Sequence, residues 1–196
     1  MPHWNPIQYE RFIKGRTQPA IDLANRLETP NPDNILDLGC GPGNSTKVLK
    51  DKFPNSHIIG ADNSEDMLKK AVELYPYIEF IKLDANGDLN EISDKFDIVF
   101  SNACIQWLPN HRELLPKMMT LLKPNGILAI QIPKQQEHPV HIIINELAKT
   151  EKWSSKIISR QYNNLKTDEY FDVLSDISNS FEIWETTYCH RMPSYE

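Results

Sequence analysis

Apolar residues along the chain gather into short runs bounded by turn residues, and between the runs apolar positions recur every three or four residues. Five runs have strand length: NILDL (34–38), SHIIGA (56–61), IEFIKL (78–83), FDIVFS (96–101) and GILAIQI (126–132). They are nearly continuous in apolar character, as strands covered on both faces are. Helical patterns fill the gaps. Asn44 or Ser45 is placed to cap a helix ending near Phe53, and Ser64 one ending near Tyr75, whose Met67, Leu68, Ala71 and Leu74 share a face. Asn110 and Glu113 have capping-box spacing ahead of LLPKMMTLL, and KPNG (123–126) is expected to stop that helix and turn into the fifth strand. QPAIDLANRL (18–27) reads as an amphipathic helix before the first strand, and 141–152 and 168–177 as two more after the fifth. FEIWETTYCH (181–190) alternates and is rich in β-branched and aromatic residues, which predicts a sixth strand. Strands alternating with helices indicate an α/β fold around a parallel sheet.

Composition narrows the class. The 196 residues suit one domain with a full core, and 40% apolar with 24% charged residues is the balance of a soluble globular chain. The domain divides into a helical N-terminal lid (1–30), a ligand-binding core (31–133) and a C-terminal part (134–196). A net charge of −6 with no basic stripe disfavours nucleic acid as a partner. No apolar stretch approaches membrane-spanning length and MPHWNPIQYERF has no leader pattern, so no membrane partner and a cytoplasmic location are expected. Cys40, Cys104 and Cys189 are odd in number and lack metal-ligand spacing, so free thiols and no metal are expected.

The densest chemistry lies in DNILDLGCGPGNSTKVL (33–49). Three of the seven glycines, Gly39, Gly41 and Gly43, fall within it. A strand carrying Asp37, a loop of small residues and a helix start together aim backbone N–H groups above the carboxyl edge of the sheet, where open α/β sheets bind ligands. The third glycine comes one residue too early for G-x-G-x-x-G, and the G-K-[ST] of a P-loop is absent. The loop therefore suits a small nucleoside better than a diphosphate. Asp62 ends the second strand about 20 residues further on, the spacing at which an acidic side chain takes ribose hydroxyls. Asp84 and Ala85 end the third strand with an acceptor and a backbone N–H suited to adenine, and Asn102 and Ala103 end the fourth.

Together, DLGCGPGNST, GADNSEDMLKKA, DANGDL, FDIVFSNACIQWL and LLKPNGILAIQI resemble the class I S-adenosylmethionine-dependent methyltransferases over about 34–132. The resemblance implies a Rossmann-like fold, a mostly parallel twisted sheet with helices on both faces. It implies S-adenosylmethionine as cofactor, with Asp37, Gly39, Gly41 and Gly43 around its methionine and ribose, and Asp62 on the ribose hydroxyls. Asn63 and Met67 would flank the adenine, Asp84 and Ala85 would meet the base edge, and Asn102 would lie under the transferable methyl. The spacing of Met67 with Ala71 suits a core position as well.

The residues after the fourth strand, NACIQW, lack the [DN]-P-P-[YFW] of enzymes that methylate amide or exocyclic nitrogens. WNPIQYERFIKGRTQPAIDL, the stretch SNACIQWLPNHRELLPKMMTLLKPNGILAIQIP and IWETTYCHRMPS resemble the trans-aconitate 2-methyltransferases. That family implies a small-molecule carboxylate as acceptor and a methyl ester as product. A carboxylate is already ionised at neutral pH and needs no general base. It needs to be held in line with the methyl carbon. Tyr9, Arg16, Trp107 and His111 are the candidates for holding it, with Arg112 nearby, and Trp4, Tyr9 and Phe12 for a lid. Arg16 could grip the acceptor, grip the cofactor's carboxylate or lie on the surface, and His111 reads more readily as a helix-start residue. The alternatives are a malonyl carrier-protein methyltransferase of biotin synthesis and a methyltransferase-like module that binds cofactor without turnover. The family's chain continues through further helices to a final antiparallel strand, which is expected to be missing here: either the sheet finishes with the sixth strand, or the chain is a truncated piece of something longer.

Overall fold

Ile35, Leu36 and Leu38 lie fully buried on β1 (Asn34–Leu38) because this strand is central and covered on both faces. The computed structural model describes residues 13–87, 89, 92–134, 139–154 and 163–189, with side chains from residue 17 onward. Around β1 stand β2 (His57–Asp62), β3 (Glu79–Lys82), β4 (Phe96–Asn102) and β5 (Leu122–Gln131), in the order β3-β2-β1-β4-β5. Every described pairing is parallel. The chain runs outward from β1 through β2 to β3, then returns to build β4 and β5 on the other side. The order therefore reverses between β1 and β4, and a crevice opens beyond their carboxyl ends.

Helices α1 (Ile13–Asn25), α2 (Asn44–Lys52) and α3 (Glu65–Leu74) precede β1, β2 and β3, and α4 (His111–Met119) joins β4 to β5. On α1, Ala20, Leu23 and Ala24, with Leu27 just beyond its end, keep helical spacing. They join Ile35, Leu49, Phe53, Ile58, Ile98, Phe100 and Ala129 in one buried cluster. The helix that leads to the site is thus anchored in the same core as the central strands.

Local details differ from the sequence expectations in ways that matter for the site. The N-cap of α2 is Gly43, with φ 89° and no side-chain cap, not Asn44 or Ser45. Asn44 is already helical, and Ser45 spends its hydroxyl on Asp37. Asn110 precedes α4 in the left-handed region (φ 53°) with no side-chain cap, so the expected capping box does not form. KPNG does not precede β5 but lies inside it: Phe96 pairs with Leu122 and Ile98 with Ile127, so the extra residues loop out of the ladder, with Asn125 at φ 64°. Pro124 is tolerated because a bulge removes the need for its missing N–H.

Ser64 caps α3 as expected, its Oγ accepting from the N–H of Met67 at 3.4 Å. Ser64→Ala should lower stability by about 1 kcal/mol, the usual cost of a lost cap. Thermal unfolding would then fall by roughly 2–4 °C. An unchanged midpoint would show that the 3.4 Å bond contributes nothing.

The chain after β5 includes α5 (Pro139–Ala148). The molecule separates into two compact units, one up to Asn164 and one from Leu165 onward. In the second, the carboxylate of Glu169 accepts from the N–H of Lys166 at the start of α6 (Thr167–Ile177), and Phe171 meets Phe181 edge-on at 5.1 Å between ring centroids. Residues 181–189 form no strand, which corrects the predicted sixth one. Alternation and β-branched residues express fit to a pleated surface, and a strand forms only where a neighbouring strand completes the ladder. No described helix is long and apolar enough to cross a membrane.

Candidate functional site

The loop leaving β1 folds over the end of β2. The N–H groups of Gly39 and Cys40 both donate to the carbonyl of Ala61, at 2.7 and 3.0 Å. Gly39, Gly41 and Gly43 all have positive φ, 78°, 55° and 89°. At Gly39 a Cβ would stand 2.1 Å from Cys104 Sγ, and at Gly43 it would stand 2.9 Å from the ring of Tyr75. At Gly41 it would meet nothing within 4 Å. Gly39 and Gly43 are therefore closed in by protein, whereas Gly41 faces open space.

Asp62 fastens this loop. Its Oδ2 accepts from the N–H of Gly41 and its Oδ1 from the N–H of Ser64, each at 2.9 Å. A carboxylate offers about four acceptor positions, so roughly half of its capacity remains for a ligand. Asp62 thus has a scaffolding task that its spacing did not announce.

Asp37 is fully buried, and its Oδ2 accepts from Ser45 Oγ at 2.7 Å and Thr46 Oγ1 at 2.6 Å. Its Oδ1 is buried with no hydrogen-bond partner. Burial, helped by the negative charge of Asp62, outweighs the two hydroxyls and pushes the carboxyl from 3.8 up to about 6. A carboxyl whose native pKa stands above its unfolded value binds its proton more tightly when folded. The stability it lends is therefore full at acidic pH and lost as pH rises from about 4 through about 6. Asp37→Asn keeps an oxygen for the two hydroxyls and carries no charge. It should flatten this decline and, at pH 7.5, add on the order of 2 kcal/mol to the unligated protein. Denaturant melts of the two proteins between pH 4 and 8 that run parallel would refute it.

Across the crevice, Ser101 Oγ donates to the carbonyl of Leu38 at 2.9 Å and binds the end of β4 to that of β1. Asn102 follows, half-buried, with its Oδ1 buried and without a partner. With Thr17, Ala20, Gly39, Cys40, Asn44 and Ser45 it lines a cavity of about 20 Å³. That holds about one water.

Asp84 is exposed, accepting from the N–H of Asn86 at 2.9 Å, while Ala85 beside it is buried. Asn63 is exposed next to Asp62, and Met67 is 5% exposed, the burial of a core side chain. Trp107 stands 40% exposed on the short 3-10 turn Ile105–Trp107. His111 is 1% exposed, and its Nε2 lies 2.8 Å from the carbonyl of Ile105 and 3.1 Å from that of Leu108. An Nε2–H shared between two carbonyls and sealed from solvent holds a turn, so His111 is withdrawn as an acceptor ligand. Arg16 falls on α1 with its side chain outside the described residues, as are Trp4, Tyr9 and Phe12 entirely.

The fold thus gathers Asp37, Gly39, Gly41, Asp62 and Asn102 at the carboxyl ends of three adjacent strands. Ser45, Thr46, Ser101 and Cys104 belong to the same assembly and had been missed. NST directly after the loop carries Ser45 and Thr46 but reads as a helix cap, and no local signal marks Ser101 or Cys104. No cluster of three or more potential metal ligands occurs among the described residues, and all three cysteines are free.

Residues 31–182 match the family model of a methyltransferase domain. The chain is similar to a trans-aconitate 2-methyltransferase of Escherichia coli O157:H7 (strain EC4115 / EHEC), at 38% identity over 197 residues, covering 100% of this chain and 76% of the relative. A trans-aconitate 2-methyltransferase of Acidovorax ebreus (strain TPSY) is 37% identical over 199 residues with the same coverage. Among solved structures, the fold is similar to Haemonchus contortus phosphoethanolamine N-methyltransferase 2 in complex with S-adenosyl-L-methionine. That likeness has a TM-score of 0.61 at 21% identity, over 82% of this chain and 36% of the other.

Proposed function

The chain belongs to the methyltransferase-domain family, and on that premise we propose that it transfers the methyl group of S-adenosylmethionine to a carboxylate of a small polycarboxylate such as trans-aconitate, forming a methyl ester. The observation that carries the acceptor is the 38% identity to a trans-aconitate 2-methyltransferase across the whole chain.

The donor set suits this cofactor. S-adenosylmethionine carries an ammonium and a sulfonium, and the strand ends carry acceptors: two buried oxygens without partners, on Asp37 and Asn102, and the carboxylate of Asp62. Gly41 leaves open the approach to the loop that an adenosyl group needs. When bound, the cofactor supplies a methyl group on a sulfonium, an electrophile with its leaving group built in.

The chain's own residues then have to bind and align. Asp62 would take the ribose hydroxyls with the acceptor positions left by Gly41 and Ser64. Asp84 and Ala85 would meet the base edge, with Asn63 and Met67 to flank it, and Asn102 would serve the methyl end. Tyr9, Arg16 and Trp107 hold the acceptor, with Arg16 suited to a two-point grip on one carboxylate while another stays free. No residue has to remove a proton, because the acceptor is ionised at neutral pH. Rate comes from in-line placement and exclusion of water, which favours a step that merges opposite charges.

The test is incubation with methyl-labelled S-adenosylmethionine and, separately, trans-aconitate, citrate or a malonyl carrier protein, with products identified by mass spectrometry. A labelled monomethyl ester of trans-aconitate is expected. Label on the malonyl carrier alone would move the chain to that acceptor, and cofactor binding with no product from any of them would leave a binding module.

A further inference from the structure

Gln106 is 3% exposed on the turn after β4, and the protein uses only half of its carboxamide. Its Nε2 donates to the carbonyl of Ala103 at 2.7 Å, while Oε1 is buried with no hydrogen-bond partner. An unsatisfied buried acceptor is unfavourable, and an apolar side chain of similar length would avoid it. A glutamine here is explained by the one bond it makes.

That bond reaches a strained residue. Ala103 has φ 52°, in the left-handed region that a Cβ disfavours. Its N–H donates to the carbonyl of Gln131 at 2.9 Å, so the corner is held from β5 as well as from Gln106. The neighbours of Ala103 are two walls of the site. Asn102 lines the cavity beside Gly39 and Cys40, and Cys104 places its Cβ and Sγ where a side chain on Gly39 would have to be. Relaxation of the corner toward ordinary backbone would swing both.

We propose that Gln106 is a positioning residue. Through the Ala103 carbonyl it holds the left-handed corner that sets Asn102 and Cys104 against the glycine loop, and so strengthens cofactor binding. This role rests on the methyl-donor reading above. The donor N–H carries it, not the bulk of the side chain, so Gln106→Met removes the function and keeps the volume. Glycine enters the left-handed region freely, so Ala103→Gly lessens the need for the bond.

The experiment compares the chain with Gln106→Met, Ala103→Gly and the double variant, by calorimetry with S-adenosylhomocysteine and by thermal unfolding without ligand. Gln106→Met is expected to melt no lower than the parent and to bind about tenfold more weakly, a loss that Ala103→Gly largely restores in the double variant. Unchanged affinity in Gln106→Met overturns the role, as does a loss that Ala103→Gly does not restore. A lower melting midpoint accompanying the weaker binding overturns it too, because packing would then explain both. A parent chain that binds no S-adenosylhomocysteine overturns the methyl-donor reading together with this role, whereas a binding parent and an equally binding variant remove Gln106 alone.

Discussion

Gly41→Val should weaken cofactor binding by about a hundredfold or more, some 3 kcal/mol, while the protein stays folded. The two halves of this expectation have separate causes. Gly41 has φ 55°, and a β-branched residue is an outlier there, which costs on the order of 1–2 kcal/mol. No atom lies within 4 Å of the new Cβ, so the Cβ itself adds no clash. The unfolding midpoint should therefore fall by only a few degrees, about 2–4 °C per kcal/mol at this size. The same empty space is the reason for the binding loss. The valine side chain would occupy the approach to the loop, beside the Asp62 carboxylate that Gly41 holds. Calorimetry with S-adenosylhomocysteine, with a thermal melt of the same sample, reads both halves. Normal affinity would mean that the cofactor does not pass Gly41 and that the open face serves no ligand.

Two residues earlier in the same loop, Gly39→Ala should act in the opposite proportion and first reduce stability. Its Cβ would lie 2.1 Å from Cys104 Sγ and 2.4 Å from Cys104 Cβ, distances that real contacts do not reach. Overpacking of this kind costs about 1–3 kcal/mol, and the left-handed φ of 78° adds roughly 1–2 kcal/mol. The combined loss should lower the unfolding midpoint by roughly 10 °C. Relief by a second substitution tests the cause. Cys104→Ala leaves the Cβ in place and should recover little, whereas Cys104→Gly should recover much of the loss. A Gly39→Ala protein that melts within about 2 °C of the parent would show that the loop after β4 yields freely, which would also weaken the case for a corner held by Gln106.

The contrast between these two glycines marks how far the sequence could be read. The loop, its strand and the acidic residues at the next strand ends were legible because each is a local pattern: an apolar run, a turn-forming cluster, a polar residue at the run's end. β1 falls on its expected residues 34–38, and Ser64 caps α3 as its position implies. Expectations failed where a local pattern was compatible with two tertiary outcomes. FEIWETTY has strand propensity, but residues 181–189 form no ladder. KPNG has turn chemistry, but β4 accommodates it as a bulge within β5. His111 has the chemistry of a ligand as well as the position of a helix-start residue, and it starts α4 sealed against two carbonyls.

By itself the sequence determined the succession of the first five strands and the helices, the placement of the glycine loop after the first strand, and the chemical types at the strand ends. These follow from periodicity and from residue chemistry, which are properties of neighbours along the chain. Only the tertiary structure decided that Gly39 is closed by Cys104 while Gly41 is open, and that Asp37 is buried against Ser45 and Thr46 with one oxygen left over. It also decided that Asp62 is tied to Gly41 before any ligand arrives, and that Gln106 reaches the carbonyl of Ala103. The physical reason is that burial, steric closure and hydrogen-bond satisfaction depend on which atoms lie across the crevice. Those atoms come from segments 21 residues apart for Gly41 and Asp62, and 63 apart for Leu38 and Ser101, and only the folding of the sheet brings them together.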